Sequence, residues 1–336
     1  MFISTKEANL LFQEGEYEKA LAAYQRIGQE HPDLKCIFTA NIELCKKNIL
    51  KSGINKNFEA PEIFITLTTI SDRLSRLLPV LESLHKQTLR PQKIYLNISE
   101  EAYLLDKGIR KDDPRLASFI KLPLLEINWT KNTGPFRKII PFMESFFSEN
   151  KTKDKIFITV DDDTLYPDYF IQTLYDKYLE HDSVIAFRGR YITANSSGIN
   201  PYSNWELGKT VATMNNLPTG KDGILYSTKF FTRDFVDINA ALELTPTADD
   251  LWIKWHCGLN GVKSVILNPE ASTSDYKSFP VVDYSAEYRD VSLFKAHNSS
   301  ASGGKNDIST KNLEKYFLKK YGYNLHTLCE KQGSML

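Results

Sequence analysis

The chain has 336 residues, 42 basic and 42 acidic side chains, and 42% hydrophobic content. This balance fits a soluble globular protein with one large domain and a small one, and argues against a nucleic-acid binder, whose affinity rests on a basic surface. Its four cysteines (Cys36, Cys45, Cys257 and Cys329) contain no CxxC pair, so they suggest neither a zinc site nor a disulfide framework, and no apolar run approaches the roughly 18 residues of a membrane span.

Residues 4 to 50 read as helices. Ser4-x-x-Glu7 has capping-box spacing, Gly15 interrupts the pattern, and Tyr17 to Ile27 places apolar groups at i, i+3, i+4 and i+7 before Pro32. Gly15, Tyr17, Ala20, Tyr24 and Pro32 resemble the second half of a tetratricopeptide repeat, with residues 34 to 50 as a third, stacking helix. A solenoid needs about three repeats, so this piece either packs on the main domain, on another copy or on a protein partner, or is an ordinary helical extension.

A polar stretch from Lys51 to Glu59, followed by Pro61, sets a domain boundary near residue 58. Strands are expected at 63–69, 93–98 and 155–160, with further short apolar runs in 116–128. Helical patterns cover about 74–87 and 136–149. Alternation of this kind implies an α/β fold with a mostly parallel, Rossmann-like sheet flanked by helices, whose ligands bind beyond the carboxyl ends of the strands. The second half carries a strand within 182–191, Asn/Ser/Gly/Pro-rich loops to Gly223, a helix over 248–260 and a last helix over 313–321 after a flexible 298–306.

Ile156-Phe-Ile-Thr-Val160 ends in Asp161, Asp162 and Asp163, which sets like charges at a sheet edge. On an extended chain Asp161 and Asp163 point to one side and Asp162 to the other, so the outer pair suits a shared divalent cation; a solvated acidic turn is the alternative. Asp249 and Asp250 open the later helix, where negative charge also serves as a cap.

Thr68, Thr69 and Arg73 after the first strand, Asn132-Thr-Gly134-Pro-Phe-Arg137-Lys138, Val160-Asp-Asp-Asp-Thr-Leu-Tyr-Pro167, and Thr247-Ala-Asp-Asp-Leu-Trp252 with Gly258-Leu-Asn-Gly261 come in an order that resembles GT-A nucleotide-sugar glycosyltransferases. Over roughly residues 61 to 270 the chain looks like bacterial capsule and lipopolysaccharide transferases, including heparosan-type N-acetylglucosaminyltransferases and exostosin-like enzymes. The resemblance implies a UDP-sugar donor, an oligosaccharide or lipid-linked saccharide acceptor, and Mn²⁺ or Mg²⁺ held by Asp161 and Asp163, with His297 as a further ligand. It implies that Thr68, Thr69, Arg73, Asn132, Gly134, Arg137, Lys138, Asp161, Asp162 and Gly223 bind the nucleotide sugar. Asp250, with Asp249 as runner-up, is implied as the acid-base group that takes the acceptor proton. Inverting and retaining branches are both resembled, so the stereochemical outcome stays open.

The expected layout is a helical extension over 1–57, a transferase domain over 58–310 with a nucleotide half (61–163) and an acceptor half (164–310), and a tail over 311–336. The amino terminus lacks a signal-peptide pattern, so a cytoplasmic protein is expected, peripheral at most at the inner face of the bacterial membrane. A sugar nucleotidyltransferase and a non-catalytic carbohydrate-binding or scaffolding protein are the alternatives. The first usually carries a Gly-rich basic loop after strand one, and Thr68-Thr-Ile-Ser-Asp-Arg73 has no glycine.

Overall fold

The computed structural model describes residues 4–31, 35–52, 61–149, 153–268, 278–283 and 304–326. It divides into two compact units, Met1–Pro61 and Glu62–Leu336. His297 and Pro32 lie outside the described residues.

In the first unit, α1 (Thr5–Gln13), α2 (Tyr17–Glu30) and α3 (Lys35–Ser52) pack with α2 against both neighbours. The Ser4 hydroxyl caps α1 by accepting from the Glu7 amide at 3.2 Å. Small residues on α2, Ala20 and Ala23, let the helices approach, while Tyr24 stacks on Phe38 and donates to Asn9 Oδ1 at 2.5 Å.

The second unit is built on a seven-stranded sheet of β1 (Ile63–Thr68), β2 (Lys93–Ile98), β3 (Leu125–Trp129), β4 (Ile156–Thr159), β5 (Val184–Ala186), β11 (Ile224–Ser227) and β12 (Ser264–Ile266). The order is β12-β5-β11-β4-β1-β2-β3, and only β11 runs antiparallel to its neighbours. β1 has all but its last residue buried, as a strand covered on both faces requires. Two hydrophobic clusters flank the sheet, and α4 (Leu78–His85), α5 (Ile140–Ser148), α6 (Phe170–His181), α7 (Ile238–Leu244) and α8 (Asp249–Leu259) supply helices to them.

Several elements differ from the sequence reading for local reasons. The helical patterns expected over 74–87 and 136–149 each begin as a 3-10 turn (Ser71–Arg76 and Gly134–Lys138) before the α-helix starts. Pro79 and Pro141 fix those starts, since a residue without an N–H is tolerated only in the first turn. The single strand expected within 182–191 is two. β6 (Gly189–Tyr191) leaves the main sheet to pair with β9 (Glu206–Leu207) and β10 (Asn216–Pro218), while β7 (Ala194–Asn195) and β8 (Gly198–Ile199) form a separate hairpin. The final helix, α9 (Lys305–Tyr321), starts well before residue 313 and crosses the boundary expected at 310/311. It is not a tail: Phe317 packs on Trp252 and His256, and Trp255 donates to Glu314 at 3.0 Å.

Candidate active site

The sheet places both acidic motifs at one cavity of about 600 Å³. β4 ends at Thr159, Val160 still donates to Thr66 O at 3.2 Å, and the next three residues leave the sheet as carboxylates. Asp249 and Asp250 reach the same cavity from the first turn of α8.

The three strand-end aspartates separate into different environments. Asp161 accepts from Lys138 Nζ at 2.6 Å, and its own amide donates to the Tyr166 hydroxyl at 2.8 Å. Asp162 is buried, with Thr69 Oγ1 donating to one oxygen at 2.6 Å and Arg73 Nη1 to the other at 2.8 Å. The same Arg73 nitrogen reaches Asp163 Oδ2 at 3.3 Å. Asp162 and Asp163 therefore share one guanidinium, so Asp162 does not face away from Asp163 as strict alternation expects, while Asp161 still bears electrostatically on Asp163. The strand has ended, and the two-residue alternation of an extended chain no longer applies in the turn.

Charge balance in the cavity is uneven. Burial opposes ionisation of Asp161, yet the Lys138 ammonium outweighs it and holds the carboxyl below the ordinary range. Burial also pulls Lys138 down, and Asp161, Asp249 and Asp250 together more than reverse that. Asp163 is pushed up to about 6 by burial and by Asp161 and Asp162, with Arg73 and Lys221 opposing. Burial lifts both Asp249 and Asp250, Asp250 well above the usual carboxylate range with Asp249 beside it as the next cause.

Asp250 is more than a helix cap. No side chain caps α8 at Ala248, and Asp250 Oδ2 instead accepts the Gly220 amide at 3.3 Å. A Cβ on Gly220 would lie 3.2 Å from Lys138 Nζ and 3.5 Å from Asp161 Oδ1, so a bare backbone lets this turn close over the ion pair. The backbone of Lys138 is tied to β1, because Thr66 Oγ1 donates to its carbonyl at 2.7 Å.

Arg137 and Lys138 do not act together, as the sequence reading expected. Arg137 is 1% exposed and turns towards Asp106, with an ion pair of 2.9 Å. Burial lowers its basicity against the pull of that carboxylate. Asp106 also accepts the Ser71 amide at 3.0 Å and Asn132 Nδ2 at 3.1 Å, so it ties three loops together. Asn132 is spent in the same network, its backbone amide donating to Glu101 Oε2 at 2.9 Å, and it does not line the cavity. Gly134 does line it. Its φ of +61° and the Tyr103 and Leu104 side chains, 3.2 and 3.0 Å from where a Cβ would stand, require glycine.

Gly223 is also corrected. It lies outside the cavity lining, and its missing side chain makes room for Phe170, which a Cβ would meet at 2.4 Å. Thr68 lines the cavity while its hydroxyl donates to Asn97 O at 2.7 Å. Trp252 and Trp255 are fully buried core. The sequence reading missed Asp106, Arg188, Arg190, Tyr202 and Lys221, all of which line the cavity. Arg188-Gly-Arg190 directly after an apolar strand was the available signal.

Among the described residues no group of three or more His, Cys, Asp or Glu is placed to hold a metal ion by itself. Asp161 and Asp163 still fit a hard cation as a partial donor set, since Mg²⁺ and Mn²⁺ are commonly held by one or two carboxylates plus substrate phosphate oxygens. The geometry favours this: both carboxylates line the cavity, and the Asp163 carboxylate has long contacts, with Arg73 Nη1 at 3.3 Å and Thr164 Oγ1 at 3.2 Å.

No protein-family model and no curated protein matches the chain. Among solved structures, S. aureus TarS 1-349 in complex with UDP is 16% identical, with 82% of this chain and 78% of that one covered at a TM-score of 0.40. The mannosyltransferase PcManGT from Pyrobaculum calidifontis, in complex with GDP-Man and Mn2+, is 11% identical over 87% of each chain at 0.38. The 4-diphosphocytidyl-2C-methyl-D-erythritol synthase from Anaerococcus prevotii is 10% identical, covering 62% and 87%, at 0.36. At these scores the likenesses add nothing to what the sheet and cavity themselves display.

Proposed function

We propose that the chain is a metal-dependent GT-A glycosyltransferase that moves a sugar from a UDP-sugar to a saccharide acceptor. The observation that carries this reading is the convergence of two acidic motifs, 86 or more residues apart in sequence, on one cavity at the carboxyl end of β4 with Lys138 between them. Nucleotide ligands of open α/β sheets bind at such strand ends.

Thr69 and Arg73 would face the nucleotide, with Tyr103 and Gly134 lining the same cavity. Asp161 and Asp163 would hold Mn²⁺ or Mg²⁺, which supplies charge neutralisation to a departing diphosphate when bound. Lys138 adds a second positive charge at the same place. Asp250 takes the proton of the attacking hydroxyl; its elevated pKa makes the carboxylate a stronger base than a solvent-exposed aspartate. Asp249 shares the like-charge repulsion that sustains that basicity.

The capsule or lipopolysaccharide setting and a hexosyl or N-acetylhexosaminyl donor rest on the motif resemblance. In the same reading the helical unit serves as a docking module and the protein works at the cytoplasmic face. Among the described residues no helix is long and apolar enough to cross a membrane.

Incubation with UDP-sugars, Mn²⁺ and saccharide acceptors, followed by assay of free UDP, tests the reading. Metal-dependent UDP release that Asp163→Ala abolishes is expected. Absence of both UDP release and metal-dependent nucleotide binding across donors would overturn it.

A further inference from the structure

The cavity's cationic side chains fall into two classes. Arg73, Arg137, Lys138 and Lys221 each form an ion pair with a carboxylate, at 2.8, 2.9, 2.6 and 3.0 Å. Arg188 and Arg190 line the same cavity, and among the described residues neither is paired with a carboxylate. Two half-buried guanidinium groups on one cavity wall, with no carboxylate of the described residues within ion-pair distance, leave forked N–H donors for an anionic ligand.

The sheet locates this wall relative to the reacting centre. Arg188 follows β5, which lies two strands from β4 and three from β1 in the order β5-β11-β4-β1. With neighbouring strands about 4.8 Å apart, β5 is about 10 Å from β4, which leads into Asp161, and about 14 Å from β1, which carries Thr68. The arginines therefore stand across the acidic centre from the Thr68–Arg73 side. Tyr202 links them to Asp250: burial raises its phenol most, Asp250 adds to that, and Arg190 and Arg188 oppose it.

We propose that one of the two saccharides meeting at Asp250 carries an anionic group, a carboxylate or a phosphate, that seats on Arg188 and Arg190. The inference rests on the reading of the cavity as a sugar-transfer site, and it names the substrate class. A guanidinium pair recognises the planar or tetrahedral oxyanion through forked N–H donors, which a neutral hydroxymethyl group cannot engage with equal strength. The charge belongs either to the transferred sugar or to the acceptor.

Titration calorimetry on the full chain separates these sources. In the donor arm, UDP-glucuronate is compared with UDP-glucose. In the acceptor arm, with UDP and Mn²⁺ saturating, methyl glucuronoside and glycerol 3-phosphate are compared with methyl glucoside. The charged probe should bind at least about tenfold tighter than the neutral one in one arm, and Arg188→Ala/Arg190→Ala should erase that preference while leaving the Kd for UDP within about twofold. Arg188→Lys/Arg190→Lys, which keeps the charge and loses the fork, should retain part of it. Equal binding of charged and neutral probes in both arms overturns the inference. So does an alanine variant that weakens UDP as much as the charged saccharide, because the arginines then serve the diphosphate. Wild-type protein that binds no UDP removes the glycosyltransferase reading instead, and a surviving preference for the anionic saccharide leaves the arginine site standing.

Discussion

The two acidic motifs of the cavity are balanced in different ways. At the end of β4, Asp161 and Asp162 each hold a short charge-assisted hydrogen bond, from Lys138 and Arg73 respectively, whereas Asp163 has longer contacts, 3.3 Å from Arg73 and 3.2 Å from the Thr164 hydroxyl, and a carboxyl pushed up to about 6. At the start of α8, the Lys138 charge acts on both Asp249 and Asp250 and the Gly220 amide donates to Asp250, yet burial lifts both. Balanced carboxylates position the loops around them. Under-compensated ones are where a cation or a proton is taken up.

The largest effect that would break this contrast is on turnover. Asp250→Asn should leave UDP affinity unchanged and lower kcat by about 10²- to 10⁴-fold, the contribution of a positioned general base. Equal losses in UDP affinity and kcat would assign Asp250 to donor binding instead.

Next is the balanced side. Asp106→Ala leaves Arg137 buried without its counter-charge and should cost about 3–5 kcal/mol in denaturant unfolding, because breaking a buried pair strands the partner. A loss under about 1 kcal/mol would show that water reaches Arg137 and that the loops are not tied there.

Asp163 gives a smaller, pH-dependent effect. Its folded pKa of about 6 lies above the unfolded value, so the folded metal-free protein binds the extra proton between about pH 4 and 6. Stability from this group is present below that window and falls as pH rises through it. Asp163→Asn in EDTA should therefore raise Tm at pH 8 and leave it unchanged near pH 4. A Tm difference that is the same at both pH values would contradict the uneven balance.

Gly220→Ala should be the mildest. A Cβ at 3.2 Å from Lys138 Nζ displaces the flexible end of a lysine, so kcat should fall a few-fold with Tm retained. An unchanged kcat would mean that the Lys138–Asp161 geometry is not felt in turnover.

Much of this was legible in the chain. The strands at 63–68, 93–98 and 156–159 are short apolar runs with polar ends, and hydrophobic patterning places them within a residue or two. The acidic motifs announce themselves because like charges at a strand end or helix start need an explanation. What pattern does not carry is which partner each charge finds. Arg137 and Lys138 are adjacent in sequence, yet the 3-10 turn sends one to Asp106 and the other to Asp161. Asp106 sits in an irregular loop with no motif around it. Asn132 and Gly223 were plausible ligand contacts by composition alone, and both are occupied by packing and loop hydrogen bonds. Pro79 and Pro141 are legible helix-start signals in the chain, each in the first turn of its α-helix.

The central claim is that the under-compensated Asp163 marks a metal-assisted nucleotide site. Calorimetric titration of UDP into wild-type and Asp163→Ala protein, each with Mn²⁺ and with EDTA, tests it most directly. The account predicts UDP binding that strengthens at least about tenfold with Mn²⁺ in the wild type and loses that response in the variant. UDP affinity that is identical in Mn²⁺ and EDTA, or a response to Mn²⁺ that survives in Asp163→Ala, would contradict it.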